Sequence, residues 1–254
     1  MPLRLNSITS SLGIVLVVTI LAACGSNSSK NAVPAKGFSG KSTSGMLTLA
    51  TSVANARGSV HIVATESTGG MTGESVYDIA RDHGKQIVSG GSQGNSTILI
   101  VSGVAYLQGD ANFLQNSLGL SASSASTYAG RWIAFRSSDT GYRQVARGDT
   151  LPSALTEATP TGSLTLTKAT TADGVRVVGI SGGLPAQATQ AGATGSQVLY
   201  VSETSPHLPV EVVVHESQDA QSGTSIVAFS NWGEVVSVAA PSSSIPVSSI
   251  SSAS

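Results

Sequence analysis

Short segments of alternating apolar and polar residues, separated by turn-forming residues, run through most of this chain. In the segment 162–169, Leu164 and Leu166 point to one side of an extended strand while the hydroxyl side chains between them point to the other. Segments of this kind span residues 59–67, 74–81, 85–90, 96–102, 162–169, 174–181, 196–203, 208–217 and 224–232. Their spacing of about 10 to 15 residues predicts an antiparallel meander.

Helix patterns are few and short. Apolar residues on one stripe predict an opening helix over residues 44–57. Asp110 is placed to cap a helix that Gly119 ends, and further short helices are predicted to begin at Ser121 and Thr150. The fold class predicted is therefore α+β and mostly β. A single antiparallel sheet of this length must curl or be covered, which gives it a concave apolar face against the helices.

Composition favours a β-rich chain with a large apolar interior. Only 11% of the 254 residues are charged, the net charge is −1, and the mean hydropathy is +0.18. Nucleic-acid binding normally leaves a basic footprint, and none is present. The chain has one cysteine, Cys24, so the fold is stable without an internal disulfide.

The N-terminal residues have the pattern of an export signal. Arg4 precedes an apolar run over residues 12–23, which as a helix spans about 18 Å and is too short to cross the ~30 Å hydrocarbon core of a membrane. Ala22 and Ala23 before Cys24 resemble a bacterial lipobox, in which the thiol receives a diacylglycerol with acyl chains such as palmitate and the preceding peptide is removed. Two long acyl chains contribute on the order of 20 kcal/mol to membrane anchoring. The alternative is a signal peptide that contains a cysteine by chance.

Four parts of the chain follow from these patterns. Residues 1–23 are predicted to be the lipoprotein signal peptide, and residues 24–45 the lipidated cysteine with a flexible tether. Residues 46–240 are predicted to form one domain, and the serine-rich residues 241–254 a disordered tail. The localisation predicted is the extracytoplasmic face of the cell membrane, held by the lipid on Cys24.

Signatures of catalysis or cofactor binding are weak. Residues 90–94 fit G-x-S-x-G around Ser92, but a strand pattern follows where a nucleophile elbow needs a helix, so a turn between strands is the favoured interpretation. The histidine spacing matches no metal motif, and carboxylates such as Asp149 are interpreted as solvated loop charges. We therefore expect no enzyme activity, no catalytic residue, no metal and no cofactor.

The apolar interior is the remaining candidate for a site. From the alternation, candidate residues lining a ligand cavity are Ile100, Tyr106, Phe113, Leu114, Trp132, Leu166, Val177, Tyr200, Val212 and Phe229. Ordinary core packing uses the same residue types, so both interpretations remain open.

Segments 106–115, 128–135, 199–212 and 229–241 together resemble an actinobacterial lipoprotein family. Its better-known members are the LppX and LprG lipoproteins of mycobacteria, whose fold is similar to that of the LolA and LolB lipoprotein carriers. The resemblance covers about residues 44–241 and implies a half-barrel of antiparallel strands curled around helices, with an apolar cavity between them. It also implies binding of an acylated lipid or glycolipid and a part in moving lipids through the cell envelope. Cys24 is the functional residue that carries over by motif.

Three functions compete at this point. The first is an anchored lipid carrier, with the membrane and a lipid as its partners, and the second is a non-enzymatic interaction or sensor module in which the same fold has a filled core. The third, favoured least, is a hydrolase that uses Ser92.

Overall fold

The structure, a computed structural model, describes residue 38 and residues 40–68, 71–90, 94–218 and 221–250. The predicted signal peptide, Cys24 and Ser92 lie outside the described residues. The helices are α1 (Thr43–Arg57), α2 (Ala111–Leu118), α3 (Ala122–Tyr128), α4 (Tyr142–Val145), α5 (Leu151–Ala158) and α6 (Ala186–Gln190), with a 3₁₀ turn at Val247–Ser249. The strands are β1 (Ser59–Thr68), β2 (Met71–Ala80), β3 (Gly84–Gly90), β4 (Ser96–Val101), β5 (Val104–Gly109), β6 (Ile133–Arg136), β7 (Thr161–Leu166), β8 (Thr170–Ala172), β9 (Val175–Gly183), β10 (Thr194–Ser202), β11 (Pro209–Gln218), β12 (Gln221–Ser230) and β13 (Ile245–Pro246).

The strands form one open, curled sheet in the order β13-β6-β5-β4-β3-β2-β1-β12-β11-β10-β9-β7, with β8 paired to β9. All pairs are antiparallel except β13 with β6. The predicted fold class, a mostly β chain whose antiparallel sheet packs on a few short helices, is confirmed. Among the described residues, no helix is both long and apolar enough to cross a membrane.

The predicted helices form where local signals place them. The carboxylate of Asp110 accepts a hydrogen bond of 2.8 Å from the backbone N–H of Phe113 and so caps α2. Gly119 ends the helix with φ of 66°, a left-handed conformation that glycine adopts without steric cost. The opening helix begins at Thr43, after Ser42 caps it through the backbone N–H of Gly45.

One face of the sheet, here called the inner face, packs against the helices. Residues directly paired across antiparallel strands share a face, so the face of Ile62 on β1 extends through its partners Tyr77 on β2 and Phe229 on β12. The opposite face, here called the outer face, carries their neighbours in sequence, such as His61 and Asp78. Alternation along each strand then assigns every strand residue to one face or the other.

Two apolar clusters lie on the inner face. The first apolar cluster joins α1 and α5 to β1, β2 and strands β9–β12, and its buried members include Met46, Ala50, Val60, Ile62, Leu151, Leu155, Ile180, Leu199, Val212 and Phe229. The second apolar cluster joins α2, α3 and α4 to strands β4–β6, and its members include Ile98, Ile100, Leu107, Phe113, Leu114, Leu118, Ile133 and Phe135. The middle of the sheet, at β2 and β3, lies between them.

The ends of the folded region differ from the sequence-based boundaries. Ile245 donates a backbone hydrogen bond of 2.8 Å to Trp132, and Val247 and Ile250 are buried in the second apolar cluster. The predicted disorder of residues 241–254 is therefore wrong for 245–250, because the open edge of β6 offers backbone partners that the serine-rich composition conceals. The tether likewise ends earlier than residue 45, since Phe38 is fully buried and α1 begins at Thr43.

Candidate functional site

Six of the candidate lining residues lie in the two apolar clusters. Leu166, Val212 and Phe229 belong to or pack against the first cluster, and Ile100, Phe113 and Leu114 belong to the second. The structure therefore divides these residues between two separate groups instead of bringing them around one cavity.

The other four candidates do not belong to either cluster. Tyr106 pairs with Leu99 and Ala134, on the outer face. Val177 and Tyr200 lie in a small separate group with Ala172 and Val210. Trp132, which directly precedes β6, is half-buried outside both clusters. Alternation identifies residues that share a face, but it does not say which face the helices cover, and Tyr106 and Tyr200 lie on the outer face.

The inner face also carries a group of polar side chains, here called the polar patch, of which Asp149 and Gln197 are buried and the other four are half-buried. Its members come from four of the central strands, from β10, and from the loop at 146–150 between α4 and α5. They are Glu66, Tyr77, Gln86, Asp149, Gln197 and Glu216.

The register places these side chains on one surface. Tyr77 pairs with Gln86, whose side-chain amide donates a hydrogen bond of 2.9 Å to the tyrosine hydroxyl. Glu66 pairs with Gly73 on one side and with Ser225 on the other, so its side chain stands on the same face. The carboxylates of Glu66 and Glu216 are close enough to repel each other.

The polar patch continues to α5 through an ion pair. Arg147 donates hydrogen bonds of 3.1 and 2.6 Å from Nε and Nη2 to the two carboxylate oxygens of Glu157. The amide of Gln197 donates to the backbone carbonyl of Glu157 at 3.4 Å. The positive charge of Arg147 also lowers the pKa of Glu216, which links this ion pair to the polar patch.

Asp149 is the most deeply buried member of the polar patch. It is 0% exposed, and neither oxygen of its carboxyl group has a hydrogen-bond partner among the described residues. Its backbone carbonyl rests against Gly84 on β3, so closely that a Cβ at position 84 would collide with it. The interpretation of Asp149 as a solvated loop charge is wrong, because the 146–150 loop folds under the helices and onto the sheet.

Burial raises the pKa values of the acids of the polar patch. Burial, followed by repulsion from Glu216, raises the pKa of Glu66 from 4.5 to about 8. Burial also raises the pKa of Asp149 well above its ordinary value. The pKa of Glu216 is raised by burial, and the Arg147 guanidinium opposes that rise. The pKa of Tyr77 is raised by burial first and then by the nearby Asp149 and Glu66.

Several shielded polar atoms at the inner face have no partner among the described residues. Besides the Asp149 carboxyl oxygens, these are Oε1 of Gln197 and Oγ of Ser96, whose residues are 1% and 6% exposed. Ser96 and Gln197 both point to the inner face. Leaving such groups unpaired costs free energy, which a bound polar group would recover. A protonated carboxyl donates a hydrogen bond and an amide oxygen accepts one, so the patch can bind uncharged polar groups.

The polar patch was missed by the sequence analysis although the alternation contains it. Val60, Ile62 and Ala64 occupy the inner face of β1, and Glu66 is the next residue in that series. In the same way, Glu216 follows Val212 and Val214 on β11. A charged residue that continues an apolar alternation was the available signal.

Two other features lie outside the patch. A solvent-open groove of about 480 Å³ separates α1 from α5, and most of its lining residues carry hydroxyl groups.

On the outer face, His61 Nδ1 lies 2.6 Å from Asp78, and Glu234 adds a third potential ligand atom within 4.8 Å of both. The short contact between His61 and Asp78 is a hydrogen bond across β1 and β2, which accounts for the pair without an ion.

No protein-family model matches this chain, and no curated protein sequence matches it. Among solved structures, the chain is similar to LprF from Mycobacterium bovis, with a TM-score of 0.47 and 14% sequence identity over 78% of this chain and 96% of LprF. The likeness is one of fold alone and says nothing about a ligand.

Proposed function

We propose that this protein is a membrane-anchored extracytoplasmic lipoprotein that binds an acylated lipid or glycolipid between its sheet and helices. Through that binding it takes part in moving lipids within the cell envelope. No catalytic role is proposed, and no cofactor is required.

The observation that carries the proposal is the arrangement of the inner face. Two apolar clusters occupy the inner face beside a patch whose buried polar atoms, at Asp149 and Gln197, have no partner among the described residues. A lipid has the matching composition, because its acyl chains are apolar and its ester and hydroxyl groups form hydrogen bonds. Affinity would then come from apolar area removed from water, while the patch fixes the position of the polar end.

The anchor is proposed from the sequence pattern around Cys24. A diacylglycerol on this residue would hold the domain at the outer surface of the membrane, and the residues before Thr43 would separate the two. The domain would then be placed to receive lipids that leave the bilayer.

An interaction module with a filled core is the second candidate, and the tight packing of the apolar clusters favours it. Ile100, Leu114 and Val212, all candidates for a cavity wall, are at most 2% exposed and contact other protein side chains. For a lipid to bind, helices or the 146–150 loop must therefore shift away from the sheet. The two candidates differ in whether such an opening occurs.

Native mass spectrometry with lipid extraction tests the proposed function. The mature chain, produced in an actinobacterial host and kept in detergent micelles, is expected to retain close to one acyl lipid in addition to its covalent anchor. Denaturing mass spectrometry of the same sample separates the covalent anchor from the bound lipid. A mass that stays free of bound lipid after incubation with envelope lipids would contradict the proposal and favour the interaction module.

A further inference from the structure

We propose that the polar patch makes this protein selective for lipids whose polar group next to the acyl chains is uncharged, and that it disfavours lipids with a phosphate there. This inference rests on the proposed function and specifies its ligand. The ligand class is a diacyl lipid with ester and hydroxyl groups, such as a glycosyl diacylglycerol.

The polar patch has several acidic groups and a cation that is already paired, which disfavours a phosphate. Glu66, Glu216 and Asp149 supply three carboxyl groups to the same part of the inner face. The cation that acts on Glu216 is Arg147, and its guanidinium already makes two hydrogen bonds to Glu157. A phosphate at this position would lose its hydration without gaining a free cation, which is costly in a buried site.

The buried polar atoms without a hydrogen-bond partner favour an uncharged polar group. Oε1 of Gln197 can accept a hydrogen bond from a hydroxyl. Neither carboxyl oxygen of Asp149 has a partner among the described residues, and burial raises the pKa of this group, which favours the protonated form that donates to a carbonyl oxygen. Each of these pairs satisfies a buried group without adding a charge.

Small side chains surround Glu66 on the inner face. On the inner face its neighbours are Gly73 and Ser225 directly across, and Ala64 and Ser75 one step along the strands. These small side chains contrast with the leucine, isoleucine and phenylalanine residues of the flanking clusters. The deepest polar atoms are shielded by the 146–150 loop, so the ligand reaches them as that loop moves away from Gly84.

A competition between two lipids with identical acyl chains tests the selectivity. The mature chain in detergent micelles is incubated at pH 8.5 with equal amounts of dipalmitoyl galactosylglycerol and dipalmitoyl phosphatidylglycerol, and the retained lipid is counted by native mass spectrometry. At this pH Glu66, with a pKa of about 8, is mostly ionised. The galactolipid is expected to be retained at least tenfold more than the phospholipid.

Matched substitutions assign the selectivity to the polar patch. The double substitution Glu66→Gln and Glu216→Gln is expected to reduce the preference to threefold or less. Glu74→Gln is the control, since Glu74 is an exposed residue of the same sheet on the outer face, and it is expected to leave the tenfold preference unchanged. Circular dichroism confirms that each variant is folded before its lipid is counted.

The outcomes separate this inference from the proposed function. If both lipids are retained equally, or the phospholipid is preferred, the inference is wrong while lipid binding stands. If the double variant keeps the full preference, the carboxyl groups do not cause it and the inference is again overturned. If neither lipid is retained, the proposed function fails and the inference fails with it.

Discussion

The second apolar cluster and the polar patch meet on the inner face, where Ile98 pairs with Gln86. In the cluster, Leu107, Ile133 and Phe135 are 0% exposed and surrounded by other apolar side chains. In the patch, Asp149 is equally shielded, yet its carboxyl oxygens have no partner among the described residues. Equal burial therefore stabilises the fold in one region and costs free energy in the other.

The largest effect is expected in the second apolar cluster. Phe135→Ala removes a fully buried ring from β6 and should lower the free energy of unfolding by about 3 to 5 kcal/mol. Urea denaturation monitored by circular dichroism measures the change. A loss below about 1 kcal/mol would mean that this cluster is loosely packed and that the comparison with the patch is not valid.

The free energy of unfolding should decrease as the pH rises, because the pKa of Glu66 in the polar patch is raised on folding. The pKa of Glu66 rises from 4.5 to about 8 on folding, so the folded chain holds a proton that the unfolded chain releases between these two pH values. Stability is therefore greatest below pH 4.5 as far as Glu66 is concerned, and its contribution decreases as the pH rises to 8. Glu66→Gln should remove that part of the loss and stabilise the chain at pH 8.5 by on the order of 3 kcal/mol.

Thermal unfolding at several pH values checks the prediction for Glu66. Glu74→Gln, on the outer face, is the matched control and should change stability by less than about 0.5 kcal/mol at every pH. Asp149 and Glu216 also have raised pKa values, so some decrease with pH should persist in Glu66→Gln. If Glu66→Gln and its control show the same pH dependence, Glu66 is not buried as described.

A smaller effect is expected at the C-terminal segment. Ile250 is 2% exposed in the second apolar cluster, and Ile250→Ala should lower the free energy of unfolding by about 2 kcal/mol. The low end of the usual range is expected because a terminal segment can separate from the core locally. Ser243→Ala, at an exposed position of the same segment, should leave stability unchanged. Equal effects of the two substitutions would favour the disordered tail predicted from the sequence.

The sequence predicted the elements better than it predicted the site. Period-two alternation and local caps such as Asp110 are short-range signals, so the strands and α2 were predictable from neighbouring residues. Which face of the sheet becomes buried depends on where the helices pack, and that is decided by contacts between residues distant in the chain. Tyr106 was assigned to the interior for its residue type, whereas the register places it on the outer face.

Alternation could have identified Glu66 and Glu216, but it could not predict the complete polar patch, because its members are distant in the chain. Asp149 meets β3 only because the 146–150 loop crosses beneath the helices to Gly84. The burial of residues 245–250 has a similar origin, since the edge of β6 that accepts Ile245 lies more than a hundred residues earlier in the chain.

The central claim is that a lipid lies against the inner face, and cysteine protection tests it most directly. Ser225 pairs with Glu66 on the inner face, while Ile226, the next residue, is 45% exposed on the outer face. Ser225→Cys and Ile226→Cys are introduced separately into the mature chain, and maleimide labelling is timed with and without dipalmitoyl galactosylglycerol. The account predicts that the lipid slows labelling at position 225 at least tenfold and changes labelling at position 226 by less than twofold. Labelling at position 225 that is unaffected by the lipid, or protection at position 226 alone, would contradict it.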